Sequence, residues 1–185
     1  MSLTKVSGVG IDGLTVSTSG RTGKTYINYE KQKCNFQSPF VTLDQHSLPN
    51  KKYLKAQDSS ISLTVPIKLG DELYNFFSMV DSFLTENVVY KPLHKFIICK
   101  NGEYSVRFKL YGTTLLFLGK EELPIKNIMS FYDVLVPGSK IRVVFSFSHS
   151  WEFNNTVGFS ASVIRVQIDE TTFNKSILDD VQFAE

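Results

Sequence analysis

Strict alternation of apolar and polar side chains is the feature that most limits how this chain can fold. From position 60 to 68, Ile61, Leu63, Val65 and Ile67 face one way while Ser60, Ser62, Thr64 and Lys68 face the other. Residues 104–111 repeat the pattern, with Val106, Phe108 and Leu110 opposed to Arg107, Lys109 and Tyr111. A period of two means strands with one face in a core and the other in water. The turn Lys100-Asn101-Gly102 lies between two such runs, so residues 95–99 and 103–111 read as a hairpin. Further strands are expected at 23–29, 140–147 and 158–168, with short ones at 10–16 and 115–118.

One stretch departs from this rhythm. Leu73, Phe76, Phe77, Val80 and Leu84 recur at helical spacing, and Asp71 and Glu72 stand where acidic groups complement the positive end of a helix dipole. The spacing predicts one amphipathic helix over about residues 71–86, with room for a short second one near the C-terminus. Many short strands with a single firm helix favour a mainly β barrel or sandwich over any repeated βαβ array. With 185 residues, of which 15 are Phe and 8 Tyr, the chain can build one large core and is neither fibre nor disordered tail. The organisation expected is a single domain over residues 1–168, with 1–19 an extension or an extra strand, followed by a tail over 169–185.

Several chemistries find no support. Gly20-Arg21-Thr22-Gly23-Lys24-Thr25 resembles the end of a phosphate-binding loop, but position 18 is Thr18 where the motif needs glycine, and a strand follows where it needs a helix. It reads as a basic turn. His46, His94 and His149 are isolated, no metal-ligand spacing occurs, and no nucleophile elbow is present, so neither a catalytic residue, a metal nor a cofactor is expected. The first residues lack a signal-peptide pattern and no run is long enough to span a bilayer, which gives an intracellular expectation. In that setting Cys34 and Cys99 read as small apolar residues rather than a disulfide. The glycosylation sequons at Asn154 and Asn174 then carry no meaning.

A net charge of +2 looks too mild for a nucleic-acid binder, but the charges are unevenly placed. Between 20 and 60 there are seven basic residues against three acidic ones, with Tyr26, Tyr29, Phe36, Phe40 and Tyr53 among them. Between 91 and 109 five basic residues accompany Glu103 alone. Single strands are bound by this combination, because cations follow phosphates while aromatic faces stack bases of any sequence. Solvated cations and guarded strand edges would give the same composition. The tail is the counterpart, with Asp169, Glu170, Asp179, Asp180 and Glu185 against Lys175, so its net charge is −4 and the body carries +6. Such a tail can compete for a basic groove or present Asp179, Asp180 and Phe183 to partner proteins.

The order of these features resembles a known family. A Gly-Lys-Thr-Tyr-Ile-Asn-Tyr strand is followed by Phe-Gln-Ser-Pro-Phe at 36–40, the alternating strand at 60–68, the Phe-rich helix and the strand at 104–111. Pro-Gly-Ser-Lys-Ile-Arg-Val-Val-Phe at 137–145, Ser-Trp-Glu-Phe at 150–153 and the strand at 157–168 complete it. This arrangement resembles the OB-fold single-stranded-DNA-binding proteins of large DNA viruses and, more distantly, of podophages. The resemblance covers about residues 20–170. It implies an OB-fold-like antiparallel barrel of five strands with an inserted helix, binding single strands without sequence preference during viral DNA replication and recombination, inside the host cell. Carried over by position, the candidate contacts are Lys24, Tyr26, Tyr29 and Lys31 on the early strand, and Arg107, Lys109 and Tyr111 on the later one. Trp151 and Phe153 follow in a loop, where Trp151 either stacks a base or plugs the barrel end, the plug being favoured. Lys33 and Phe36 from the basic-aromatic stretch, and Arg142 from the Pro137 motif, complete the set. The competing reading is a β-sandwich structural or protein-interaction component, such as a virion protein, that binds no nucleic acid.

Overall fold

Alternation sets the walls of a barrel in the computed structural model, which describes residues 3–55, 58–88 and 91–173. The chain begins with β1 (Leu3–Lys5), β2 (Leu14–Thr18), β3 (Thr25–Tyr29), β4 (Asn35–Gln37), β5 (Val41–Thr42) and β6 (Ser60–Ile67). Helix α1 (Glu72–Asn87) separates these from β7 (Leu93–His94), β8 (Ile97–Lys100), β9 (Glu103–Tyr111), β10 (Leu115–Leu118) and β11 (Glu121–Leu123). The short helix α2 (Phe131–Val134) precedes β12 (Lys140–Phe147), β13 (Trp151–Phe153), β14 (Thr156–Gly158) and β15 (Ala161–Ile168).

The protein is mainly β, an OB-fold-like barrel with one inserted amphipathic helix. Five strand positions close a circuit in which β6 pairs with β9, β9 with β15, β15 with β12, and β12 with β4 and β5. Thr64 N–H then donates to the Ser47 carbonyl at 2.8 Å and links β6 back to the segment after β5. The expectation of an antiparallel barrel needs correction, because β15 runs parallel to both β9 and β10 and β1 runs parallel to β4. Parallel pairing follows from the long crossover between β9 and β15, which a hairpin could not make.

The predicted faces hold. Ile61, Leu63, Val65 and Ile67 of β6 are buried, as are Val106, Phe108 and Leu110 of β9. Helix α1 buries Leu73, Phe76, Phe77, Val80 and Leu84 at the expected spacing and adds Phe83 and Asp81. Its Phe76 and Phe77 meet Phe36, Phe96, Phe108, Phe145 and Phe147 with ring centroids 5.2 to 6.4 Å apart. Offset and edge-on contacts of this kind add to area burial, so α1 serves as the plug of the barrel.

Two irregularities shape the outer surface. A bulge between Val144 and Phe145 sets Val144 opposite Arg165 and Phe145 opposite Val163, which leaves Ile164 as the extra residue. Ile164 and Arg165 therefore both point outward. The β2–β3 hairpin and the three-stranded sheet β13–β14–β7 stand outside the barrel circuit. The first of these contains the phosphate-loop-like stretch, which is a turn with Gly23 at φ +64° and Gly23 N–H donating to the Ser19 carbonyl. Cys34 is buried, Cys99 is exposed, and they are not bridged.

Candidate nucleic-acid interface

The outward face of β6 and β9 is low and basic. In their register Ser62 lies opposite Lys109 and Thr64 opposite Arg107, so short hydroxyl side chains flank the two long cations. Beside this face a cleft of about 180 Å³ is lined by Arg107, Lys109, Lys95, His94, Trp151 and Ser62, among others. Arg107, Lys109, His94 and Lys95 are exposed, and Trp151 is half-buried.

Trp151 owes its position to a glycine. It lies opposite Gly158 across the β13–β14 pair, and Gly158 in turn lies beside His94 of β7. A Cβ on Gly158 would come within 2.3 Å of Trp151 Cζ2, so the ring rests over bare backbone. It reaches His94, with centroids 5.4 Å apart. The hairpin turns on Asn154 and Asn155, at φ +47° and +59°, as a tight two-residue connection requires. Its base is tied by Ser148 N–H to the Ser160 carbonyl at 2.8 Å, and an ion pair joins Lys91 to Glu152. Phe153 at the tip is 69% exposed.

The loop carrying His94 and Lys95 is fixed from below. Both carboxylate oxygens of Asp81 on α1 accept backbone N–H groups, from Phe96 at 2.8 Å and Ile97 at 3.1 Å. Asp81 is the only buried carboxylate among the described residues. Burial holds its carboxyl above the ordinary 3.8, while the two amides and the charges of Lys95 and His94 pull in the other direction.

The early strand comes partly into this setting. Thr25 N–H donates to Ser150 Oγ at 2.9 Å and Ser150 N–H to the Thr25 carbonyl at 2.7 Å, which pins β3 to the segment leading into β13. Tyr26, exposed, thus meets His149 with centroids 6.1 Å apart, and exposed Lys24 adjoins it. The other candidates go elsewhere. Phe36 is 2% exposed in the Phe cluster, so it belongs to the core and not to a binding surface. Tyr29 packs edge-on against Phe36 at 6.1 Å and over Gly13, half-buried. Lys31 and Lys33 are exposed at the far end of β3, about 13 Å along the strand from Thr25. Tyr111 continues the outward row of β9 opposite Ser60, half-buried and outside the cleft. Arg142 lies on another face of the barrel.

Trp151 is also not a plug, since α1 fills that place and the indole lines the cleft. Phe153 is on a strand, not in a loop. The residues that sequence reasoning missed are Lys95 and His94. Lys95 belongs to the basic run, but nothing in the sequence signals that Asp81 folds its segment against Trp151. Lys175, Asp179, Asp180, Phe183 and Glu185 of the acidic tail lie outside the described residues.

No family model matches the sequence, and no curated protein matches it significantly. The chain is similar in fold to solved phage proteins. One is gp2.5, a single-stranded DNA-binding protein encoded by bacteriophage T7, with a TM-score of 0.49 and 11% identity over 82% of this chain and 97% of that one. Another is the single-stranded DNA-binding protein from bacteriophage Enc34, with a TM-score of 0.44 and 12% identity over 90% of this chain and 99% of that one. The Enc34 protein in complex with single-stranded DNA gives 0.45 and 12%, over 84% and 94%.

The place of the cleft within the barrel circuit has its own meaning. Counted round the circuit, β6 and β9 are the second and third strands, and the β13–β14 hairpin lies in the connection between the fourth and fifth. In OB folds, the face of the second and third strands and that connection form the surface that takes oligonucleotides. Among the described residues no group of three or more His, Cys, Asp or Glu could hold a metal ion, and no helix is long and apolar enough to cross a membrane.

Proposed function

We propose that the protein binds single-stranded DNA without sequence preference, and that it covers exposed strands during replication and recombination of a DNA virus or phage. One observation carries this reading: Arg107, Lys109 and Lys95 converge with Trp151 and His94 on a single cleft at the oligonucleotide-binding position of the barrel. Three cations supply the charge that a phosphate chain requires, and the half-buried indole supplies a stacking surface. No step of this activity makes or breaks a covalent bond. We further propose that the acidic tail, through Asp179, Asp180 and Phe183, meets replication proteins.

The test is binding of a labelled dT oligomer of about 30 nucleotides, long enough for two or more OB-fold sites. Affinity is expected to fall steeply as salt rises from about 50 to about 200 mM. Absence of binding at the lower salt overturns the reading and leaves a structural or protein-interaction role.

A further inference from the structure

Arg142 lies away from the cleft in a setting of its own. Its Nε donates to Gln167 Oε1 at 2.7 Å, and Gln167 Nε2 donates to the Gly119 carbonyl at 2.6 Å. Its guanidinium carbon stands 4.9 Å from the centroid of Phe40. Nearby, Arg165 stands 4.5 Å from the centroid of Phe117. The β12–β15 register sets Arg142 opposite Gln167 and Val144 opposite Arg165, so the two arginines are diagonal neighbours on one outward face.

Diagonal sites on adjacent strands are about 7–8 Å apart, within reach of long side chains, so two like charges there favour an anion between or beside them. Neither guanidinium has an ion-pair partner among the described residues, where the two ion pairs are Lys51–Asp133 and Lys91–Glu152. The nearest acid along the register, Asp169, follows the end of β15, where its N–H donates to the Lys140 carbonyl and its carboxylate accepts from Thr171; Glu170 lies over Gly119, and Glu121 and Glu122 stand on β11 beyond Phe117. Contact with the rings and, for Arg142, the bond to Gln167 hold the guanidinium groups in place. Among the described residues the Nη groups of Arg142 and the guanidinium of Arg165 make no hydrogen bond, so their donors are open to an anionic ligand.

The face is also continuous with the cleft. Lys109 lies opposite Ser162 across the parallel β9–β15 pairing, and Arg165 is three residues further along β15, roughly 10 Å at the usual rise. We propose that Arg142 and Arg165 form a second phosphate-binding patch for the same single strand, engaged by nucleotides that have left the cleft. This inference rests on the single-strand reading and extends the binding track round the barrel.

The test compares dT oligomers of about 4 and about 20 nucleotides, which lie at and beyond the two ends of the usual range of OB-fold site sizes. With Arg142→Glu and Arg165→Glu together, affinity for the short oligomer is expected to stay within about twofold while affinity for the long one falls about tenfold or more. The salt slope for the long oligomer should drop by about 1.4, at about 0.7 per single-strand phosphate contact. The neutral pair Arg142→Gln with Arg165→Gln, gentler on the fold, should show the same selective loss to a smaller degree. Unchanged long-oligomer affinity in both variants overturns the proposal and leaves the arginines to an acidic protein partner. Equal losses for both lengths also overturn it, since the patch would then be part of one short site. If the unaltered protein bound neither oligomer, the single-strand reading itself would fall.

Discussion

Residues 20–40 and residues 91–111 have the same composition, lysines and arginines set among aromatic rings, yet the barrel uses them differently. The first segment gives Phe36 to the core and packs Tyr29 against it, and its Lys31 and Lys33 surround a turn whose Glu30 and Lys31 sit at φ +50° and +61°. The second runs through the middle of the barrel wall. There the alternation of β9 sends Val106, Phe108 and Leu110 inward and leaves Arg107 and Lys109 beside Trp151. A basic-aromatic composition marks where cations are, but the strand's place in the sheet decides whether the rings are available to a ligand.

Substitutions can break or sharpen that contrast. The largest effect expected is from Phe36→Ala, which should lower the free energy of unfolding by about 3–5 kcal/mol, as for other buried aromatic truncations. Chemical denaturation measures it, and folded F36A should still bind dT normally. Lost binding with unchanged stability would return Phe36 to the ligand surface. Next, Arg107→Glu with Lys109→Glu should weaken dT binding roughly 100-fold, about 2.7 kcal/mol, with little change in melting temperature. A loss below about threefold in a fluorescence titration would remove β9 from the interface.

Trp151→Ala should cost about 1–3 kcal/mol of affinity, the range for one stacked base. Gly158→Ala should act in the same direction by pushing the indole off its seat, and quenching of Trp151 fluorescence by oligomer should shrink with it. Normal quenching in G158A would show that the seat does not position the ring. Asp81→Asn should destabilise by about 1–3 kcal/mol, because one of the two amides loses its acceptor. The pH dependence has a defined sign. Burial raises the Asp81 carboxyl above 3.8, so its contribution to stability is fully present below that pH and is lost as pH rises through the higher folded value. Asn does not titrate, so the stability gap between the native protein and D81N should widen as pH falls from neutral toward 4. A gap that narrows instead contradicts the assignment. The smallest effect belongs to Lys31→Glu with Lys33→Glu, about threefold or less, the scale of distant screened charges. A loss equal to that of the β9 pair would erase the distinction between the two segments.

Local periodicity carries the fold reading a long way. The faces of β6 and β9 and the buried stripe of α1 are legible because each follows from spacing within a few residues. The closure of the barrel is not, since pairing Ala161 with Phe108 joins positions with no local signal, and neither are three-residue strands such as β13 and β14. The site divides along the same line. Arg107 and Lys109 follow from strand parity alone. Lys95 and His94 depend on Asp81, on a different element, and the seat of Trp151 depends on a glycine across a hairpin. Phe36 is misplaced by sequence reasoning because an aromatic between lysines looks the same whether it faces in or out.

The parallel contact between β9 and β15 consists of two residue pairs, Ala161 with Phe108 and Ser162 with Lys109. A side-chain relay adds to it, with Tyr111 N–H donating to Thr114 Oγ1 and Thr114 Oγ1 donating to the Val163 carbonyl. A seam this short, like the single Thr64–Ser47 bond that closes β6 on the segment after β5, opens before the long antiparallel walls separate. A strand passing from Lys109 toward Arg165 would lie across this seam and tape it shut. Hydrogen exchange at residues 161–163 should therefore slow on binding more than exchange elsewhere in the barrel, making the amides of the seam a reporter of occupancy.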